Sequence, residues 1–267
     1  MQIEQVAPEI YVSIGRAYHS VATLLIKDDD VLLIDGLASR EDAEKLRRFI
    51  EDDLAKKVRL IISTHYMSDH MAAFKLFPES LIIAHKGYKH TFDSQRSLTD
   101  EEAAYFVRPT IEISNGIVIR WGAYTLDIFH NPSKALSMIS VDIAEADLLV
   151  VGDAILGNTV FVSSAGVPEQ FFVALARLQD RGRSRVIAGH LGVYDGQSIE
   201  SALFYLRSLQ EQVKEARRAA RGDNSIREIS IESCLAPNVE PSDFEKEYHQ
   251  LNLSLIIERK LFSPLFR

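Results

Sequence analysis

The apolar run Val58-Arg59-Leu60-Ile61-Ile62 leads through Ser63 and Thr64 straight into His65-Tyr66-Met67-Ser68-Asp69-His70. A short β-branched run of this kind suits a strand buried on both faces. Two histidines and an aspartate therefore stand just past a strand's carboxyl end, where α/β sheets place their chemistry.

The same grammar surrounds this junction. Thr23 to Lys27 and Val31 to Asp35 flank Asp28-Asp29-Asp30 and predict a hairpin with an acidic turn. Ser39 reads as a helix N-cap, and Ala43, Leu46, Ile50 and Leu54 recur behind it at helical spacing. A helix is expected over 69–77, and strands over 81–84, 116–120, 125–129, 138–143, 148–151 and 185–188. Longer helices are expected over 168–178 and 198–220. The final segment mixes polar residues with an apolar helical pattern at Leu251, Leu255 and Ile256, and reads as a helical cover without visible chemistry.

Composition narrows the partners. In 267 residues, 46% hydrophobic and 25% charged, there is material for one large core. The net charge of −8 disfavours a general electrostatic grip on nucleic acid or an anionic membrane. The basic stretches 181–185 and 214–221 are short and suit a solvated turn or helix face. The first residues carry no leader pattern, and no apolar run approaches the roughly 18 residues of a membrane span, so a cytoplasmic protein acting on a small molecule is expected. Cys234 stands alone, so any metal must rest mainly on histidine and carboxylate.

Asp69 and His70 sit at one junction, Gly152-Asp153 follows a second strand, and Gly189-His190 follows a third. Taken singly, such residues are ordinarily a helix cap, a turn or a satisfied core histidine. Together they offer two imidazoles and two carboxylates, a donor set that suits Zn²⁺ with a position left for water.

In order and spacing these segments resemble the metallo-β-lactamase superfamily over nearly the whole chain. Ile34-Asp35-Gly36 resembles its first motif, Thr64 to His70 its second, Gly152-Asp153 its fourth and Gly189-His190 its fifth. The resemblance implies an α/β fold of the αββα sandwich type, with residues 1–222 as the sandwich and 223–267 as a helical extension packed on it.

Two positions depart from the family's pattern. Met67 stands where its second motif has another histidine, and Lys134, in Asn131-Pro132-Ser133-Lys134, where its third motif supplies one. A protonated lysine has no lone pair for a metal, and a thioether is a poor ligand for a hard dication. The first of the family's two metal sites thus keeps only His65 and a share of Asp153. The second keeps Asp69, His70, Asp153 and His190, so one ion per chain is expected, zinc first, with iron or manganese as alternatives. Lys134 either substitutes for the lost dication, holding a substrate oxyanion or carboxylate, or simply pairs with Asp153 or solvent.

The resemblance then implies a hydrolase of esters, thioesters, lactones, lactams or phosphodiesters. Asp69, Asp153, His65 and Lys134 are its expected catalytic residues. A mononuclear non-haem iron oxygenase and an inactive binding module are the other two classes. Among the remaining histidines, His130 is the foremost extra ligand because it lies close to Lys134. His85 and His90 are expected to be solvated or supporting, and His19 and His249 structural. The apolar pairs Leu261-Phe262 and Leu265-Phe266 are a possible contact surface.

Overall fold

A computed structural model describes residues 1–95, 97–163, 166–219 and 222–263. Ala220, Arg221, Leu265 and Phe266, which enter the expectations above, lie outside the described residues.

Seven strands form the first sheet in sequence order: β1 (Gln2–Ala7), β2 (Ile10–Ile14), β3 (Val21–Lys27), β4 (Asp30–Ile34), β5 (Lys57–Ile62), β6 (Leu81–His85) and β7 (Ile111–Ile113). The first four pair antiparallel, and β4 to β7 run parallel. The second sheet has β8 (Gly116–Trp121), β9 (Tyr124–His130), β10 (Ile139–Ile143), β11 (Leu148–Gly152), β12 (Arg185–Ala188) and β13 (Val193–Asp195), laid side by side in that order. Only β11 and β12 pair in parallel there.

Strand alternation shows how the layers stack. On β4, Leu32 and Ile34 face the core between the sheets while Val31 and Leu33 face the outer core of α1 (Arg40–Arg48). On β11, Leu148 and Val150 point into the same inter-sheet core. Leu149 and Val151 point the other way, toward Phe171, Leu175 and Leu178 of α4 (Pro168–Arg181) and Leu206 and Leu209 of α5 (Gln197–Arg218). With period-two side chains, such a strand must be covered on both faces. The chain is an αββα sandwich. The short helices α2 (Tyr88–Asp93) and α3 (Asp100–Ala104) stand between β6 and β7 in the chain, and α6 (Gly222–Arg227) and α7 (Asp243–Glu258) follow α5.

The 23–35 hairpin forms, and Ser39 caps α1 by accepting from the Asp42 amide at 3.2 Å. The helix expected over 69–77 does not. That segment makes only two 3₁₀ turns, Ser68–His70 and Phe74–Leu76. Its backbone is drawn to the loop after β4 instead: Gly36 donates to the His70 carbonyl at 2.7 Å, and Ala73 donates to that of Gly36 at 2.8 Å. Side-chain periodicity could not reveal this competition for the peptide groups. Strands β1, β2, β7 and β13 are further additions to the expected set.

The C-terminal helix is fastened by buried polar groups. Ser242 and Glu245 form a capping box, and Glu245 also accepts from the Asn158 amide at 2.7 Å. Asn252 accepts from the Val162 amide and donates to the Val160 carbonyl, while His249 bridges the Tyr205 hydroxyl and the Ile229 carbonyl. Glu245, His249 and Asn252 are nearly inaccessible to solvent, so their bonds satisfy groups that would otherwise be costly to bury. No described helix is long and apolar enough to cross a membrane.

Candidate metal centre

The two sheets meet at one edge. Ile139 donates to the Thr64 carbonyl, Gly189 to that of Gly152, and Val21 to that of Gly189. This seam brings the ends of β5, β11 and β12 together, and with them His65, Asp69, His70, Asp153 and His190.

One ligand atom from each of Asp69, His70, Asp153 and His190 lies within 4.8 Å of all the others. His70 Nε2 is 3.3 Å from Asp153 Oδ1 and 3.7 Å from Asp69 Oδ2. His190 Nε2 is 3.3 Å from Asp153 Oδ2 and 3.5 Å from Asp69 Oδ2. His65 Nε2 stands 3.4 Å from Asp153 Oδ2. The three rings and Asp153 are buried, and Asp69 is partly open toward a cleft.

Hydrogen bonding at the far side of each ring fixes what the near side offers. His190 Nδ1 is 2.8 Å from the Tyr18 carbonyl. A carbonyl only accepts, so Nδ1 carries the proton and Nε2 presents a lone pair. Thr64 Oγ1 gives its one proton to Asp35 Oδ2 at 2.6 Å, so at 2.9 Å from His65 Nδ1 it accepts. His70 Nδ1 faces Asp35 Oδ2 at 3.6 Å, which favours the proton there too. Asp35, at φ 59° in the left-handed region, accepts in addition from the Thr64 amide. With the rings neutral, three Nε2 lone pairs would converge on a carboxylate. His65 Nε2, His70 Nε2 and Asp153 Oδ1 have no hydrogen-bond partner.

Such convergence is repulsive unless a cation lies among these atoms. Burial alone would strip charge from His70, yet Asp153 and Asp69 outweigh it and raise its pKa well above the ordinary value. Burial dominates at His65, whose pKa is lowered. It also works against ionised Asp153, but Lys134 and the imidazoles hold that carboxyl well below its usual range. Asp69 is held at about 2, against burial, by His70 and Lys134. With no ion among them, a proton on His70 supplies the positive charge that Lys134 leaves short beside the two carboxylates, and a dication at the Nε2 atoms would take its place.

Lys134 is 5% exposed, and its Nζ donates to Asp153 Oδ2. It also lies 5.6 Å from the centre of the Phe161 ring. Of the two roles left open by the sequence, pairing with Asp153 is the one seen; Met67 is buried beside it at the foot of the cleft. His130 is not an extra ligand. Its ring stacks on His85 at 4.1 Å and its Nε2 contacts the Leu136 carbonyl at 2.7 Å. His249 is structural as expected, and His19 packs edge-on against Phe244.

Glycine is required at two points. A Cβ on Gly189 would come to 1.9 Å from Asp153 Oδ1, and Gly152, at φ 53°, would meet Thr64 Oγ1 at 2.6 Å. The candidate ligands can close on one another only because these two positions carry no side chain.

Above the cluster opens a cleft of about 940 Å³, with Asp69, Met67 and Lys134 at its foot. One wall comes from α7, through Tyr248, Leu251 and Leu255, and from Phe161. The C-terminal cover is therefore part of the site, which corrects the reading of that segment as chemically silent. Leu251 and Leu255 belong to the apolar pattern noted above. Nothing in that pattern says that one face of the helix meets a cleft instead of core. The Tyr18 carbonyl was equally illegible, because any residue supplies a carbonyl.

A sequence model of the metallo-beta-lactamase superfamily matches residues 15–233. The structure is similar to a metallo-beta-lactamase from Pontibacter korlensis, with TM-score 0.65 and 14% identity over 77% of this chain and 98% of that one. It is also similar to a stereoselective inverting sec-alkylsulfatase from Pseudomonas sp., with TM-score 0.72 and 14% identity over 97% of this chain and 50% of that one. A metallo-beta-lactamase from Erythrobacter litoralis with beta-mercaptoethanol in its active site gives TM-score 0.60 and 16% identity over 75% and 93% of the two chains. The comparison with curated proteins finds no match. At such identities the structural likenesses speak for the fold, and the match over residues 15–233 places this chain in the metallo-beta-lactamase superfamily.

Proposed function

We propose that this chain is a hydrolase of small molecules that works with one dication, zinc by preference, held by Asp69, His70, Asp153 and His190. The observation that carries the reading is the convergence of imidazole lone pairs on Asp153, each ring oriented from behind by Asp35, Thr64 or Tyr18. A donor set of two nitrogens and two oxygens suits zinc, and such orienting partners raise ligand basicity.

A dication there supplies Lewis acidity and brings the pKa of a water molecule toward about 7. The chain's own residues do the rest. Lys134 keeps Asp153 ionised and supplies a fixed positive charge beside the cluster, where a substrate oxyanion gathers its negative charge. Asp69, open to the cleft, is the group placed to accept a proton from the attacking water. In ester cleavage the water oxygen ends on the acyl carbon, the carbon–oxygen bond to the leaving group breaks, and a proton passes to the departing alcohol. In this reading residues 223–267 are an extension of the same domain, and its helix α7 walls the cleft.

Elemental analysis of protein purified without added metal tests this. One ion per chain, lost in His190→Ala and kept in His65→Ala, is expected. Two ions would overturn the single-ion reading. None after zinc supplementation would make the chain a binding module, and iron with thiol-dependent oxygen uptake would make it an oxygenase.

A further inference from the structure

The wall that α7 adds to the cleft lies at residues 243–258, outside the stretch 15–233 that the superfamily model matches. What this wall does must be read from its own residues. Glu245, His249 and Asn252 fasten one face of the helix to the body of the protein. The other face presents Tyr248, Leu251 and Leu255 to the cleft, and Leu251 is 44% exposed. Phe161 continues this surface: its ring meets that of Tyr248 edge-on at 4.8 Å and lies beneath the Lys134 ammonium.

Tyr248 differs from its neighbours in carrying a donor. Its hydroxyl has no hydrogen-bond partner among the described residues, and it lies within electrostatic reach of Lys134, Asp69 and Asp153. Burial, against the pull of Lys134, pushes the phenol up to about 12, so it stays protonated and neutral at ordinary pH. In that state the hydroxyl can donate to an uncharged acceptor that enters the cleft.

Charge narrows the choice further. Among the described residues lining the cleft, Lys134 is the one cation, and Asp153 already engages it. Asp69, Glu101 and Glu102 line the same cleft. Among the described residues of the lining, a phosphodiester or a carboxylate-bearing substrate would meet carboxylates and no basic side chain that is not already paired. An apolar chain, by contrast, gains from every methylene it lays against leucine and aromatic surface.

We propose that α7 selects neutral carboxylic esters with an extended apolar arm: Leu251, Leu255 and Phe161 seat the arm, and Tyr248 donates to the ester oxygen. Tyr248 is a residue that touches substrate, and the leucines set chain-length preference. This inference rests on the hydrolase reading for its reaction, but the wall's binding of an apolar arm does not depend on it.

The test uses the full-length, zinc-loaded protein with p-nitrophenyl acetate, butyrate and octanoate, and with bis(p-nitrophenyl) phosphate. Octanamide, a slow and effectively unreactive analogue, is titrated calorimetrically in parallel. The value of kcat/KM should rise up to roughly four-fold per added methylene, and the phosphodiester should be turned over at least about 100-fold less well than the octanoate. Leu255→Glu and the milder Leu251→Ser should flatten the chain-length series and weaken octanamide. Tyr248→Phe should cut kcat for every ester by about 100-fold while leaving the length preference in place. Esters cleaved without regard to length, or a preference for the phosphodiester, would overturn the proposal and leave the hydrolase reading standing. An unchanged kcat in Tyr248→Phe would overturn the role of the hydroxyl. Octanamide bound by the wild type but not by Leu255→Glu, with no ester cleaved, would support the wall and remove the hydrolase.

Discussion

Lys134 and Asp153, 19 positions apart, form a buried ion pair in which the ammonium donates to one carboxylate oxygen while the other has no hydrogen-bond partner and faces the candidate metal ligands. The free oxygen is the one 3.3 Å from His70. Asp153 thus joins a permanent charge, built into the sequence, to the proposed site of an exchangeable one.

Removing the permanent charge should be costly. Lys134→Met leaves Asp153 buried without its partner, and breaking a buried pair from one side destabilises by about 3–5 kcal/mol. Denaturant unfolding of metal-free protein should show a loss of that order. A loss under 1 kcal/mol would mean that the pair is not closed in solution.

Restoring histidine at the two departed positions should reverse the stoichiometry. The double variant Met67→His with Lys134→His should bind a second zinc ion, counted by elemental analysis after dialysis. Lys134→His alone should bind it more weakly. A single ion in the double variant would show that the backbone here no longer presents these side chains to a common point.

Asp35 touches the ligands only from behind. Asp35→Asn should weaken zinc about 10–100-fold, measured by competition with a chromophoric chelator, while circular dichroism stays native. If affinity is unchanged, the Thr64 hydroxyl alone orients His65 and the ring of His70 needs no support.

Gly189→Ala adds a single methyl group where Asp153 Oδ1 leaves no room. Crowding of this kind costs about 1–3 kcal/mol, and displacing Asp153 should also empty the metal site. Full zinc occupancy in this variant would show that Asp153 can be dispensed with as a ligand.

Away from the site, His85 gives a pH prediction. Burial and the facing His130 lower its pKa to about 4. The unfolded chain, near 6.5, binds more protons between these values, so the contribution to stability is complete above pH 6.5 and is lost as pH falls toward 4. Ring-proton NMR should place the His85 midpoint well below that of an exposed histidine. His85→Phe should remove this share of the acid sensitivity.

The layered fold was legible, and so was the gathering of Asp69, His70, Asp153 and His190, because both rest on local rules. Strand runs such as 58–62 and 148–151 ended at the expected ligands, and Ser39 announced its helix. What escaped was decided by distant groups. The turns after His70 depend on backbone bonds to Gly36, the orientation of His190 depends on a carbonyl, and the stacking of His130 on His85 depends on two strands meeting. The value of Leu251 and Leu255 as lining required knowing which side of α7 is already taken.

That division of α7 gives different masters to adjacent residues. Glu245, His249, Asn252 and Ile256 answer to folding, while Tyr248, Leu251 and Leu255, interleaved every three or four positions, answer to whatever enters the cleft. A lineage can therefore rewrite its diet along one stripe of a single helix and leave untouched both the stripe that anchors it and the histidines it overlooks.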